Sequence, residues 1–214
     1  DPKNYSSAYD LALLASAIIR DFPDNYRYYS VREYRYNNVT QQNRNRLLWL
    51  DPNVDGVKTG YTENAGYCLI TSARRGDRRL VSVVLGTASE SERATESQKL
   101  LNFGLQHFDA ARLYEKNQPV ARLRIWKGTE SHVGIGFRHD LFLTIPKGTL
   151  GQLKATMETR QPVFAPVSGG QQMGVLKLTL AGEPYAEFPL VALDSVPLAN
   201  VFSRGWDSIR LFFQ

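Results

Sequence analysis

The sequence predicts an α/β (α+β) layer domain, followed by a small all-β sandwich domain and a C-terminal amphipathic helix. The first part of the chain has the pattern of a helix, a β-hairpin and a second helix, which is the order of a layered α/β unit. Residues 109–197 hold short apolar runs separated by turn residues, and the last segment shows apolar side chains at steps of three or four. We therefore place the domain boundaries at 1–107, 108–197 and 198–214.

The first helix has sequence signals for both of its ends. Ser7 and Asp10 have the spacing of a capping box, with aspartate in the place usually taken by glutamate. Apolar side chains follow at helical spacing, namely Leu11, Leu14, Ala15 and Ile18. Pro23 ends the element, since proline lacks the N–H that a helix interior needs. The aromatic stretch at residues 26–36 is predicted to cover a sheet edge or to form a loop.

A β-hairpin and a second helix complete the first domain. The hairpin is predicted from two strand-like runs, YCLITSARR and RRLVSVVLGT, which are joined by Gly76 and Asp77. The run SESERATESQKLLNFGLQHF then predicts a helix that ends near His107. These elements indicate one layered domain over residues 1–107.

The rest of the chain has a different pattern. Turn-forming pairs such as Lys127-Gly128 and Gly169-Gly170 recur at short spacing, and helical periodicity is weak, which predicts an all-β domain over residues 108–197. The terminal segment LANVFSRGWDSIRLFFQ is predicted to be an amphipathic helix. Its aromatic and arginine residues favour a position in a membrane interface, and the alternative is a helix packed on its own domain.

Composition limits the classes of function. The 214 residues are 43% hydrophobic and 22% charged, so the chain can bury a core. The net charge of +5 is spread over scattered arginines without a Lys/Arg block, and we expect no nucleic-acid partner. A single cysteine, Cys68, excludes an internal disulfide and is predicted to be a small buried residue. The three histidines lack ligand spacing, so neither a metal nor another cofactor is expected.

The stretch VDGVKTGYT places a cation, a hydroxyl and a glycine side by side. On a strand beside a cleft, the Lys58 ammonium can attract a carboxylate and assist proton movement among nearby hydroxyls. Thr59 can donate to the same carboxylate, and Gly60 leaves room for an extended substrate to add to the sheet. The backbone N–H of Tyr61 can stabilise a developing oxyanion. Together these residues indicate a receptor for a peptide that ends in a free carboxylate.

Lys-Thr-Gly alone is a weak signal, because so short a match can arise by chance in an ordinary exposed strand and turn. Together with Ser-x-x-Lys and Ser-Asp-Asn, it forms the motif set of penicillin-binding proteins and class A β-lactamases. No serine of this chain has a lysine three residues later, and Ser-x-Asn does not occur. The Tyr-x-Asn match at Tyr36–Asn38 lies too close to Lys58 and is interpreted as coincidence.

A wider set of stretches resembles one family. The runs YSSAYDLALLASAII, TQQNRNRLLW, VDGVKTGYTENAGYCLITSA, RRLVSVVLG and FSRGWDSIRLFF are similar to low-molecular-weight penicillin-binding proteins, the serine D-alanyl-D-alanine carboxypeptidases. The resemblance covers essentially the whole chain. It implies that residues 1–107 are the C-terminal part of a penicillin-binding/β-lactamase-like transpeptidase domain. It also implies that Ser-x-x-Lys, with the nucleophile, lies on a preceding N-terminal segment of the same protein.

The resemblance also implies roles for the motif residues. In the family, a serine attacks the carbonyl between two terminal D-alanines, an acyl-enzyme forms, and water releases the shortened peptide. Lys58 would polarise the hydroxyl network and attract the substrate carboxylate, Thr59 would bind that carboxylate, and Gly60 would admit the substrate. The Tyr61 N–H would form half of the oxyanion hole. Many relatives have histidine where Tyr61 stands, so only its backbone role is transferred.

Two arginines match family arginines near the site. Arg44, in QQNRN, is expected to support the substrate carboxylate region or to order the wall, and the alternative is a structural arginine paired with a local acid. Arg93, in SESERATES, is a candidate for substrate contact. Asp55 is expected to fix the turn before the strand and not to act as an acid–base group.

The implied function is removal of the terminal D-alanine from peptidoglycan stem pentapeptides, with inhibition by β-lactam antibiotics. The implied location is the bacterial periplasm, at the outer face of the inner membrane, with residues 198–214 on the membrane surface. One alternative is a non-catalytic cell-wall or membrane-surface module. Another is a β-lactamase, which the β-rich second domain and the lack of an evident deacylating acid disfavour.

Overall fold

The computed structural model describes residues 5–200. The chain divides into two compact units, Asp1–His107 and Phe108–Gln214. Each unit has its own hydrophobic core. The described part is α+β: the long helices lie in the first unit, and strands dominate the second.

Over its described residues, 5–107, the first unit contains four α-helices and five strands. In chain order they are α1 (Ala8–Asp21), α2 (Pro23–Tyr26), β1 (Glu33–Tyr36), β2 (Val39–Gln42), α3 (Leu47–Leu50), β3 (Val54–Thr62), β4 (Gly66–Arg75), β5 (Arg78–Thr87) and α4 (Glu90–His107). A 3-10 turn at Arg27–Ser30 follows α2.

Helix α1 begins and ends where the sequence predicts. The Asp10 N–H donates to the Ser7 hydroxyl oxygen at 3.1 Å, and the Ser7 hydroxyl donates to the Asp10 carboxylate at 2.8 Å. The capping prediction is confirmed, although the carboxylate accepts from the hydroxyl of Ser7 instead of its backbone N–H. The helix ends at Asp21, and Pro23 occupies the first position of α2, where a missing N–H costs nothing.

Strands β3, β4 and β5 form an antiparallel sheet in that order. The predicted β4–β5 hairpin is confirmed, and Gly76 adopts φ +60° in its turn, a left-handed conformation that favours glycine. One apolar cluster joins the sheet to α3 and α4 and includes Leu47, Leu69 and Leu101. A separate cluster, with Ala15, Tyr26 and Val57, joins the sheet to α1 and α2. The sheet is thus covered by helices, as a layered unit requires.

The aromatic stretch forms a structure of its own. Strands β1 and β2 make an exposed two-stranded ribbon, in place of the predicted sheet-edge cover or loop. Asn37 and Asn38 have φ values of 48° and 60°, as a two-residue hairpin turn of type I′ demands. The Tyr-x-Asn match at this position is therefore explained by turn chemistry.

The described part of the second unit, residues 108–200, is built mainly of strands, with one 3-10 turn at Leu150–Gln152. The strands are β6 (Phe108–Tyr114), β7 (Pro119–Trp126), β8 (His132–Gly136), β9 (Leu141–Pro146), β10 (Leu153–Thr159), β11 (Val163–Phe164), β12 (Gln172–Leu180) and β13 (Glu183–Ala192). Six of them form a sheet in the order β10-β12-β13-β8-β7-β11, and β6 pairs with β9. Side chains of both sheets, among them Ile135, Ile145 and Leu190, pack into one core.

The predicted terminal helix does not begin at residue 198. Leu198 forms an antiparallel bridge with Gly128, so this residue is extended. A Cβ at Gly128 would lie 2.7 Å from the Val196 Cγ1 atom, which explains why glycine stands there. The remainder of the predicted helix, residues 201–214, lies outside the described residues. Between residues 5 and 200, no helix has the length and apolar character needed to cross a membrane.

Candidate active site

The Lys-Thr-Gly residues lie in β3, the edge strand of the three-stranded sheet. Lys58, Thr59 and Gly60 pair with Ile70, Leu69 and Cys68 of β4. The opposite edge of β3 has no partner strand within the described residues, so an extended ligand has room to add to the sheet there.

The Lys58 side chain is exposed. Its ammonium donates to the carbonyl oxygen of the neighbouring Thr59. Within residues 5–200, no carboxylate forms an ion pair with it. The charge therefore lies at the open edge of the unit, accessible to an anionic ligand.

Two glycines of β3 have different structural roles. A Cβ at Gly56 would lie 2.6 Å from the Tyr26 hydroxyl oxygen, so packing alone requires glycine there. A Cβ at Gly60 would meet only the Cβ of Cys68, at an ordinary 3.8 Å. Within the described residues, the packing of this unit therefore leaves room for a side chain at Gly60.

Cys68 corrects one expectation. Its side chain is half-buried instead of buried, and its thiol lies 3.5 Å from the Ala65 carbonyl oxygen. Cys68 lies in the central strand β4, directly opposite Gly60 of the edge strand β3, and a glycine partner covers little of its neighbour.

Arg93 is buried beneath the motif strand, with an exposed fraction of 2%. Its guanidinium donates to the carbonyl oxygens of Gly60 and Arg44, both at 3.4 Å, and to the Glu90 carboxylate at 3.2 Å. It also lies 5.4 Å from the ring centre of Tyr67. Because most of its donors point to protein acceptors, the geometry favours bracing of β3 over direct contact with a substrate.

The backbone around Arg44 is held by the neighbouring asparagine. The Arg44 side chain is exposed, and its carbonyl oxygen accepts from Arg93. Asn45 is buried, donates to the Gly56 carbonyl oxygen at 2.9 Å and accepts from the Leu47 N–H at 3.2 Å. Asn45 was not among the predicted site residues, although asparagine is typical of helix starts and stands here two residues before the apolar run LLW.

A polar network holds the start of β3. The Asp55 carboxylate accepts from the Tyr26 hydroxyl at 2.8 Å and pairs with Arg79 at 2.8 Å. Arg79 also donates to the Ser72 hydroxyl at 2.7 Å. Burial raises the pKa of the Tyr26 phenol far above its ordinary value, so it stays a protonated donor. Asp55 therefore fixes the strand itself, by joining α2, β3 and β5, and not only a turn.

The bracing role of Arg93 predicts a stability effect. We expect Arg93→Ala to lower the free energy of unfolding by about 2–3 kcal/mol, because it leaves the carbonyls of Gly60 and Arg44 without this donor and opens a cavity at a buried position. Denaturant unfolding would measure the change, with the exposed Arg46→Ala variant as control. A substrate-contacting arginine would behave differently: the variant would be as stable as the parent and defective only in reaction with ligand.

Two family profiles match the chain. The profile described as D-alanyl-D-alanine carboxypeptidase matches residues 1–89, and the profile of the C-terminal domain of penicillin-binding protein 5 matches residues 108–198. The chain belongs to the D-alanyl-D-alanine carboxypeptidase family. The resemblance inferred from the motif strand and its neighbours is thereby confirmed.

Relatives in this carboxypeptidase family match almost the whole chain. DacC of Escherichia coli is 39% identical over 99% of the chain, and DacA of Haemophilus influenzae is also 39% identical over 99%. Both are described as D-alanyl-D-alanine carboxypeptidases. The chain spans about half of their length, 54% in each case.

Solved structures of the family have the same fold. Penicillin-binding protein 5 of Haemophilus influenzae superposes with a TM-score of 0.83 at 38% identity, over 92% of this chain and 58% of the other. Penicillin-binding protein 6B of Escherichia coli superposes with a TM-score of 0.63 at 35% identity, over 89% and 51%.

Proposed function

We propose that this chain forms one wall of the active site of a serine-type D-alanyl-D-alanine carboxypeptidase. The enzyme removes the terminal D-alanine from peptidoglycan stem pentapeptides and is inhibited by β-lactams. The observation that supports this proposal most directly is the outer edge of β3 at Lys58-Thr59-Gly60: no described strand pairs with that edge, and the exposed Lys58 has no carboxylate partner within residues 5–200.

The chemistry follows from the placement of these residues. The substrate lies along the open edge of β3, with its terminal carboxylate near the Lys58 ammonium and the Thr59 hydroxyl. The attacking serine comes from a segment that precedes these residues. Its Oγ forms a bond to the carbonyl carbon, the C–N bond to the terminal D-alanine breaks, and the departing amine takes a proton. The Tyr61 N–H and the N–H of the serine stabilise the oxyanion, and water then hydrolyses the ester.

The supporting residues act through β3. Arg93 holds the carbonyl of Gly60, and Asn45 holds that of Gly56. These contacts keep the strand in place when the substrate adds to its edge, so that binding requires little ordering of the wall. Arg44 stands next to Asn45 in the sequence and its side chain is exposed. We assign it to the region that binds the substrate carboxylate.

A penicillin-labelling experiment tests the proposal against its alternative, a non-catalytic cell-wall module. We expect the 214-residue chain alone to take no fluorescent penicillin, because it contains no Ser-x-x-Lys. We expect a preparation that includes the preceding segment to be labelled on that segment. Stable label on this chain alone would contradict the assignment of the nucleophile, and an unlabelled complete protein would favour the non-catalytic module.

We extend the proposal to location. A peptidoglycan carboxypeptidase works in the bacterial periplasm, and the apolar residues of 201–214, together with Arg204 and Arg210, suit the outer face of the inner membrane. We expect removal of these residues to lower binding to anionic liposomes in a sedimentation assay. Equal sedimentation with and without them would argue against a membrane-surface role.

A further inference from the structure

The second unit contains a polar pocket of about 510 Å³ that the proposed reaction does not use. It lies beside β7, β8 and the segment after β13. Residues with chemical or steric importance in its lining are Asn117, Arg122, His132, Gly134, Arg138 and Asp194.

The strand pairing of β7 and β8 shapes this pocket. Arg122 and Gly134 are directly opposed in the ladder. Leu123, the next residue of β7, is buried in the core, so Arg122 lies on the outer face of the sheet. Because Gly134 has no side chain, the sheet surface beside Arg122 stays open. A Cβ at Gly134 would project to within 3.3 Å of Pro119 and 3.8 Å of Leu193.

The charges in the pocket are predominantly positive. Arg122 and Arg138 are both exposed, and neither forms an ion pair within residues 5–200. The Arg138 guanidinium makes one long hydrogen bond, 3.4 Å, to the Ala192 carbonyl oxygen. Asp194 is the one carboxylate of the lining, and it pairs with neither arginine in the described structure. Most guanidinium donors of the pocket are therefore available.

The third basic group is His132. The Ser131 hydroxyl hydrogen-bonds its Nδ1 atom at 3.0 Å, which leaves Nε2 as the ring atom for a ligand. Two planar guanidinium groups and an imidazole are the donors that best match the oxygens of a carboxylate or a phosphate. Asn117 adds an amide at the rim.

We propose that this pocket, lined by Arg122, His132 and Arg138, binds an oxyanionic group, either a carboxylate or a phosphate. The pocket belongs entirely to the second unit, and the inference does not rest on the proposed carboxypeptidase activity. Gly134 provides the space, the two arginines provide the charge, and Asp194 limits the site to ligands that the positive groups attract more strongly than this carboxylate repels.

The test is calorimetric titration of the complete protein with inorganic phosphate and, separately, with citrate, at constant ionic strength. We expect saturable binding of at least one anion, and the preferred anion identifies the group. Arg122→Gln and Arg138→Gln are each expected to weaken it about tenfold, the effect of losing a hydrogen bond to a charged group. Arg122→Lys keeps the positive charge but removes the planar guanidinium with its paired N–H donors, so we expect affinity for the anion to fall less than in Arg122→Gln.

Lys154→Gln is the matched control, since it removes an exposed positive charge of the same unit outside the pocket. We expect this variant to bind like the parent. Absence of saturable binding of both anions would overturn the proposal. The proposal would also be overturned if Lys154→Gln weakened anion binding as much as the arginine variants do, because the binding would then depend only on the overall positive charge. Penicillin labelling is expected to be unchanged in all four variants, so failure here is distinguishable from failure of the proposed enzyme function.

Discussion

Lys58→Ala is expected to slow acylation of the complete enzyme by a β-lactam at least about a hundredfold, the usual scale for loss of a positioned charge or acid–base group. The reason is the exposed ammonium at the open edge of β3, where it can attract a carboxylate and assist proton transfer. The measurement is the second-order rate constant of labelling by a fluorescent penicillin.

Stability separates a chemical role of Lys58 from a structural one. Its side chain is exposed and its hydrogen bond is to an adjacent carbonyl, so the thermal midpoint should stay close to that of the parent. Lys154→Ala, an exposed lysine of the second unit, is the control for loss of a positive charge. An unchanged rate constant of acylation in Lys58→Ala would contradict a role for this lysine in the proposed site.

Gly60→Val is expected to reduce the rate of acylation at least about tenfold. The branched side chain keeps the ligand backbone away from β3, so the hydrogen bonds between ligand and strand, each of about 1 kcal/mol, are lost. Stability should be nearly unchanged. A Cβ at this position meets only Cys68, at 3.8 Å, and valine is a favourable residue in strands. Labelling kinetics and thermal unfolding of the same preparation provide both measurements.

Gly56→Ala is the matched comparison on the same strand. Its Cβ would lie 2.6 Å from the Tyr26 hydroxyl, which is itself bound to Asp55, so we expect a clear loss of stability. The two variants should therefore differ in what they lose: Gly60→Val should lose acylation rate, and Gly56→Ala should lose stability. If Gly60→Val unfolded as readily as Gly56→Ala, the glycine of the motif would be structural.

Local patterns predicted much of the first unit. Helix α1, the β4–β5 hairpin and α4 all form where spacing, turn residues and capping residues placed them, because these signals act over a few neighbouring residues. The β1–β2 ribbon was missed because all of its residues are exposed, and because the alternation of polar and aromatic residues in β1 lasts for only four residues and is absent from β2. The clearer local signal is the pair Asn37-Asn38, which suits a tight turn.

The chemistry of the site was partly predictable. The residue types of Lys58-Thr59-Gly60 already indicated a receptor for a carboxylate, and the structure places them at an exposed sheet edge. The exposure of Cys68 could not be read from its apolar surroundings in the sequence. It depends on the residue across the ladder, Gly60, and register between strands is not a local property.

The sequence by itself determined the helices, the hairpin, the motif and the family resemblance, since each depends on residue types at short spacing. Only the tertiary structure decided that Arg93 lies buried under the Gly60 carbonyl and that Tyr26, Asp55 and Arg79 form one network. It also brought Arg122, His132 and Arg138 to one pocket. These groups are distant in sequence and meet through sheet register and helix packing, which depend on the whole fold.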